Sequence, residues 1–312
     1  DVVLSAQSGI PYLLDGVNVW PTVNKKRDIF TFLQDADLIV AHLDNTTRAT
    51  VLGEFNSKPV AVVHHNTFDE SKEAIVLPSS RTDLVVANSI HMFAELNEFY
   101  VRQELASPPP TIIVRPTADP RDFEGTPGDK ITLINLRKRD KVSGRDGLSK
   151  GGEVFRALAE RLPTHQFLGV TGVYGTQIDL SDLPNVEVID HVPHHEMVEK
   201  VYGRTRILLV PSSYESWGRV ASEAMCLGIP VIASPTPGLI EQLGYAGSLA
   251  DPENVEAWEQ RVKKLDNVDR WHDASHMSLA RARDLAEMGR EDMAVWCATA
   301  EQVVKREQSL AC

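Results

Sequence analysis

Apolar residues along this chain fall in short, nearly continuous runs separated by stretches with helical spacing. ADLIVAH (36–42), PVAVVHH (59–65), DLVVANS (83–89) and PTIIVRP (110–116) are rich in Val and Ile. Such unbroken runs predict strands covered on both faces. Between them, Asn45–Phe55 and His91–Glu98 space their apolar residues as helices do. Strand alternating with helix predicts a parallel sheet of the α/β class. PTADPRDFEGTPG (116–128) then reads as a linker, being dense in Pro, Asp and Gly. After it the pattern restarts with ITLINL (131–136), HQFLGV (165–170), VEVID (186–190), RILLVPS (206–212) and IPVIASP (229–235). Helices are expected over Gly152–Arg161, Glu196–Tyr202 and Gly218–Leu227, and a strand-free helical tail over Pro252–Ala311. The expectation is two doubly wound halves facing a cleft, with ligands at the carboxyl ends of the strands.

Composition narrows the class. At 312 residues the chain exceeds what a single core usually fills, which agrees with two domains. With 42% hydrophobic and 24% charged residues it reads as a globular, non-membrane chain, and no run approaches a transmembrane span. The start, DVVLSAQSGI, lacks the basic flank and apolar stretch of a signal peptide and reads as the middle of a strand-like run. Three scattered cysteines, Cys226, Cys297 and Cys312, form neither a disulfide framework nor a zinc site, so a cytoplasmic setting is expected. A net charge of −12 argues against broad binding to a phosphate backbone, although the local basic run Arg137–Arg145 stands apart. That run reads as a solvated loop, or as a holder of a diphosphate or of another phosphate-bearing ligand.

The densest chemistry lies in RILLVPSSYESWGRVASEAMCLGIPVIASPTPGLIE (206–241). A buried strand ends at Pro211, and a polar loop leads through Gly218 into an amphipathic helix. Glu215 and Glu223 flank that helix start with seven residues between them. Free N–H groups at a helix start favour a diphosphate, and Trp217, Gly218 and Arg219 would form such a cradle. Carboxylates accept paired hydrogen bonds from vicinal hydroxyls, so Glu223 suits a ribose and Glu215 a transferred sugar.

This stretch resembles the glutamate-x7-glutamate signature of GT-B glycosyltransferases, most closely glycosyltransferase family 4, in a bacterial or phage type. The resemblance continues in Ser149-Lys150-Gly151-Gly152, similar to that family's Lys-Gly element beside the diphosphate. It continues in GVTGVYG (169–175), which supplies Gly172, and in DHVPHH, where Val192 falls at the base-contacting segment. SPTPGLIE (234–241) looks like the family's Gly-x-x-Glu loop and brings in Gly238 and Glu241. Arg137 is the candidate second diphosphate partner; RKRDKVSGRDG (137–147) looks like an insertion beside it. The resemblance implies a metal-independent, retaining hexosyl transfer from a nucleotide diphosphate sugar, with no cofactor and the sugar nucleotide as co-substrate. It implies a donor-binding domain at 129–290, an acceptor-side domain at 1–122, and a helix at 291–312 returning to the first domain.

In the N-terminal half the resemblance is one of outline. PVAVVHHN places His65 where the family carries a histidine on the acceptor side, with His64, Asn66 and Asn88 beside it. The implied roles are catalysis for His65, Lys150 and Glu215. Donor binding falls to Arg137, Lys150, Gly151, Gly172, Val192, Glu215, Ser216, Trp217, Gly218, Arg219, Glu223, Gly238 and Glu241. The chain reads as starting at the second strand of this half, so the family's first Gly-rich loop is not in view. Asp35-Ala-Asp37 imitates a metal-binding pair, yet it reads as strand entry, and no ligand set fits magnesium or manganese. His194, His195 and His272 read as surface residues. The acceptor stays open among lipids, glycans, small molecules and modified DNA bases, as do the choice of UDP or GDP and the oligomeric state. A sugar-nucleotide epimerase or phosphorylase on the same fold, and a non-catalytic nucleotide-sugar binder, are the competing readings.

Overall fold

The structure, a computed structural model, describes residues 2–5, 12–14, 17–21, 36–42, 46–66, 72–73, 75–76, 81–139, 149–173 and 175–310. Asp35, Asn45, residues 140–147 of the basic segment, Tyr174 and Cys312 lie outside the described residues.

The chain divides into two compact units. The first comprises Asp1–Ala87, Glu95–Ile112 and Val295–Cys312. It holds two sheets. A three-stranded sheet of order β1 (Val2–Ser5), β3 (Val17–Pro21), β2 (Tyr12–Leu14) pairs β1 with β3 in parallel and β2 with β3 antiparallel. The other sheet runs β4 (Ile39–His42), β5 (Val60–His64), β6 (Leu84–Ala87), β7 (Thr111–Ile113), with β4, β5 and β6 parallel. Every residue of β6 is buried, as are all but one of β5, which explains their continuous apolar runs. Helix α1 (Thr46–Asn56) connects β4 to β5, and α2 (Ile90–Arg102) follows β6. The short N-terminal sheet was not expected from the sequence pattern.

The second unit comprises Asn88–Ala94 and Ile113–Ala294. Its sheet has six parallel strands in the order β10 (Val186–Ile189), β9 (Phe167–Val170), β8 (Lys130–Ile134), β11 (Thr205–Val210), β12 (Val231–Ala233), β13 (Ser248–Leu249). The chain winds outward from β8 through β9 to β10, then returns to the other side of β8 as β11. This reversal parts the loops after β8 and β11 and opens a crevice at their carboxyl ends. Helices α3 (Gly152–Arg161), α4 (Met197–Lys200), α5 (Arg219–Cys226), α6 (Pro237–Leu243) and α7 (Val255–Lys264) connect the strands or follow them. The expected helix over Glu196–Tyr202 is shorter, with 3-10 turns at His194–Glu196 and Tyr202–Arg204 around α4.

Two apolar clusters sandwich this sheet. One gathers Phe155, Leu158, Phe167 and Trp258; the other gathers Trp217, Met225, Tyr202 and Leu239. As expected, the described residues of the tail from 252 onward are helical and hold no strand, β13 ending at Leu249 before it. The segment from 291 is the end of α8 (Val268–Leu310), a single helix of 43 residues. Among the described residues no helix is long and apolar enough to cross a membrane.

Candidate donor site

The loops at the reversal are locked by short hydrogen bonds. After β8 the chain turns at Asn135, which holds a left-handed φ of 73° and accepts the Arg137 N–H on Oδ1 at 3.2 Å. The Arg137 carbonyl accepts the Lys150 N–H at 3.1 Å, so the segment on the far side of 140–148 returns to the strand end. The Ser149 hydroxyl takes the Gly151 N–H at 2.8 Å and donates to Glu153 Oε2 at 3.0 Å. Ser213, after β11, exchanges backbone and side-chain bonds with Ser149. Lys150 and the loop carrying Glu215 are therefore held side by side. The Lys150 ammonium meets Glu215 Oε1 at 2.5 Å, and the Ser212 hydroxyl donates to the same oxygen at 3.0 Å.

Gly218 ends that loop with a φ of 90°, a left-handed turn that strains any residue with a Cβ, and opens α5 without a side-chain cap. The first N–H groups of α5 thus receive no capping side chain, the condition for anion binding at a helix start. Glu223, one turn into α5, is 4% exposed. Its Oε1 lies 2.8 Å from Arg219 Nε and 3.4 Å from His194 Nε2, and its Oε2 accepts the Tyr202 hydroxyl at 2.6 Å. Glu223 and Arg219 line a cavity of about 620 Å³ together with His194, His195, Phe123 and Met293.

Other expected residues divide by what they touch. Gly238 lies against the Ser216 backbone, where a Cβ would stand 2.3 Å from the Ser216 carbonyl carbon. Asn88 donates to the Ser216 hydroxyl at 2.9 Å. Trp217 is buried in the core, so its ring packs beneath the loop. Val192 also joins that core. Gly172 follows β9, donates its N–H to Gln177 at 3.0 Å, and leaves room for the Asn135 side chain.

Glu241 is committed elsewhere. Its carboxylate accepts Arg115 Nε at 2.9 Å and the Ile90 N–H at 2.8 Å, while Arg115 also pairs with Asp292. Sequence reasoning missed Tyr202, Ser212 and His194. His194 was expected on the surface alone, yet it bonds Arg219 at 2.8 Å. Its single sequence signal was its position just after Val192.

In the first unit, His64 closes β5 at 2% exposure, and its buried Nε2 has no partner among the described residues. Burial, then the Lys72 and His65 charges, lower its pKa to about 4. His65 is half-buried, its ring 5.7 Å from that of His42, and burial followed by His42 lowers its pKa. Asn66 is buried beside them in the chain. Among the described residues no cluster of His, Cys, Asp or Glu forms a metal cage.

The fold is that of the GT-B glycosyltransferases. The structure is similar to sucrose-phosphate synthase from Thermosynechococcus elongatus, with a TM-score of 0.65 and 17% identity over 95% of this chain and 89% of that one. It is also similar to Anabaena HepE, solved in complex with UDP-glucose, with a TM-score of 0.65 and 17% identity over 87% and 81% of the two chains. Residues 176–275, which include Glu215, Glu223 and Glu241, match the family of glycosyl transferases group 1. In sequence the chain is similar to the D-inositol 3-phosphate glycosyltransferase of Mycobacteroides abscessus, 33% identical over 178 residues, which is 51% of this chain and 40% of that protein. The O-antigen chain mannosyltransferase B of Escherichia coli is 32% identical over 102 residues, 33% of this chain and 25% of that one. The chain thus spans less than half the length of these two relatives. Together these findings show the GT-B fold and a match to the group 1 family over residues 176–275.

Proposed function

We propose that this chain is a retaining glycosyltransferase that moves a hexose from a UDP- or GDP-linked donor to a hydroxyl acceptor, without a metal. One observation carries the reading: Lys150 and Glu215 meet at 2.5 Å beside a helix start that Gly218 leaves uncapped, with Glu223 one turn further on. A diphosphate at that helix start gains the N–H groups and the dipole of α5, and it draws the Lys150 ammonium away from Glu215. The freed Glu215 carboxylate then accepts hydroxyls of the transferred hexose, and Glu223 accepts those of the ribose. Charge building on the leaving diphosphate is met by Lys150 and the helix start, the work a divalent cation does in other transferases. Retention follows when the acceptor hydroxyl attacks from the face the diphosphate leaves, its proton passing to a diphosphate oxygen. His65 serves the acceptor side.

The test is a thermal-shift panel of UDP, GDP, ADP and their sugar conjugates, run on wild type and Glu223→Ala. A nucleotide at about 100 times its Kd adds roughly 2.7 kcal/mol to the wild type, a shift that Glu223→Ala abolishes. A panel that leaves the wild type unmoved removes the reading.

A further inference from the structure

We propose that Tyr202 is a positioning residue for the nucleotide, holding the Glu223 carboxylate in the orientation that the ribose meets. The inference rests on the reading of Glu223 as the ribose ligand.

Tyr202 comes from the 3-10 turn between β10 and β11 and is 0% exposed in the core beneath α5. Its hydroxyl donates to Glu223 Oε2 at 2.6 Å. The opposite oxygen, Oε1, meets Arg219 and His194, both of which line the cavity. One oxygen is therefore anchored inward by a residue outside the helix, and the other is presented to the cavity.

The two anchors differ in kind. Arg219 stands on the same helix as Glu223 and has an exposed side chain, so an arriving diphosphate competes for its guanidinium. Tyr202 is enclosed by the core and cannot follow. Once Arg219 turns to phosphate, the phenol is the buried anchor that remains on the carboxylate, the nearby His194 ring being exposed. An ionised carboxylate has about four acceptor sites, so one bond from Tyr202 leaves sites for both ribose hydroxyls. Burial and the Glu223 charge push the Tyr202 pKa well up, so the phenol stays a donor at neutral pH. A carboxylate this deep costs stability, and an apolar pair would fill the space without that cost.

The experiment measures dissociation constants of UDP and GDP by calorimetry for wild type, Tyr202→Phe, Glu223→Gln and the double variant. Tyr202→Phe keeps the ring and removes only the hydroxyl. Whichever nucleotide binds the wild type should bind Tyr202→Phe about tenfold more weakly. Glu223→Gln should lose at least as much, and adding Tyr202→Phe to it should change affinity by less than about twofold. Tyr202→4-aminophenylalanine, which restores an N–H donor at that place, should recover affinity; Tyr202→4-methylphenylalanine, which fills the space without a donor, should not. These two also decide the matter if Tyr202→Phe folds poorly. A purely structural phenol would lower the melting temperature and leave affinity unchanged. Wild-type affinity in Tyr202→Phe, with Glu223→Gln weakened, overturns the positioning role alone. Undiminished binding in Glu223→Gln, or no nucleotide binding to wild type, overturns the ribose reading and this inference with it.

Discussion

Glu223 and His64 are both buried titratable groups, and their surroundings treat them in opposite ways. Glu223 accepts from a phenol and a guanidinium, and that guanidinium also donates to the His194 ring. His64 has a buried ring nitrogen without a partner among the described residues and the Lys72 charge nearby, and its pKa is lowered to about 4. A histidine whose folded pKa lies below its unfolded value of 6.5 favours unfolding as it takes up a proton. Its contribution is intact above pH 6.5 and is lost as pH falls towards 4. Urea melts across that window should show wild type losing on the order of 3 kcal/mol relative to His64→Phe. Parallel curves for the two proteins would mean that His64 protonates freely in the folded state. For the chemistry, the separation is kinetic. Lys150→Met should lower kcat by about 100-fold or more, because it removes charge from the leaving diphosphate. His65→Ala should lower kcat with donor affinity kept, and Glu223→Ala should weaken donor affinity first. The reverse pattern in steady-state kinetics would exchange these assignments.

Among the elements, legibility followed length and burial. The long apolar runs at β5, β6, β8 and β11 announced themselves because strands buried on both faces need continuous Val, Ile and Leu. β13 has two residues, Ser248 and Leu249, too few for any period to register. The β2–β3 pair has a short-range signal of its own, Asp15-Gly16 between Tyr12–Leu14 and Val17–Pro21, a dipeptide that favours hairpins. In the candidate donor site the backbone features were readable, since Lys150-Gly151-Gly152 form one short motif and Gly218 with the two glutamates another. Their anchors were not, because Tyr202 reaches Glu223 across 21 positions, and such a contact exists only once β10 and β11 have taken their places in the sheet. Glu241 shows the converse, a readable motif residue whose carboxylate is occupied by Arg115 and Ile90. The fit of α6 against the Glu215 loop gives an element-scale prediction. A Cβ at Gly238 would stand 2.3 Å from Ser216 backbone atoms, which no side-chain rotation relieves. Gly238→Ala should cost about 1–3 kcal/mol and weaken nucleotide binding together, because the loop itself must shift. A variant that loses stability yet keeps its nucleotide affinity would uncouple α6 from the site.

Across the whole molecule, the 43-residue α8 contributes residues to both units. Within the first unit its last turns are tied to the start of β6 by Arg81, which meets both carboxylate oxygens of Glu307 and also pairs with Asp83. A bidentate guanidinium–carboxylate pair is among the few surface ion pairs with measurable worth, here roughly 1 kcal/mol. Arg81 holds the Glu307 carboxyl below its ordinary value of 4.5. The stabilisation is therefore present above pH 4.5 and is lost as pH falls through the lowered value. Glu307→Gln should accordingly be less stable than wild type at pH 7 by roughly 1 kcal/mol, and the difference should shrink in acid and in about 1 M salt. Its nucleotide dissociation constant should stay within about twofold of wild type, because every residue proposed for the donor site belongs to the second unit. Calorimetric titration beside chemical melts measures both quantities on one preparation. A stability loss accompanied by a matching loss of affinity would mean that the end of α8 also governs the donor site.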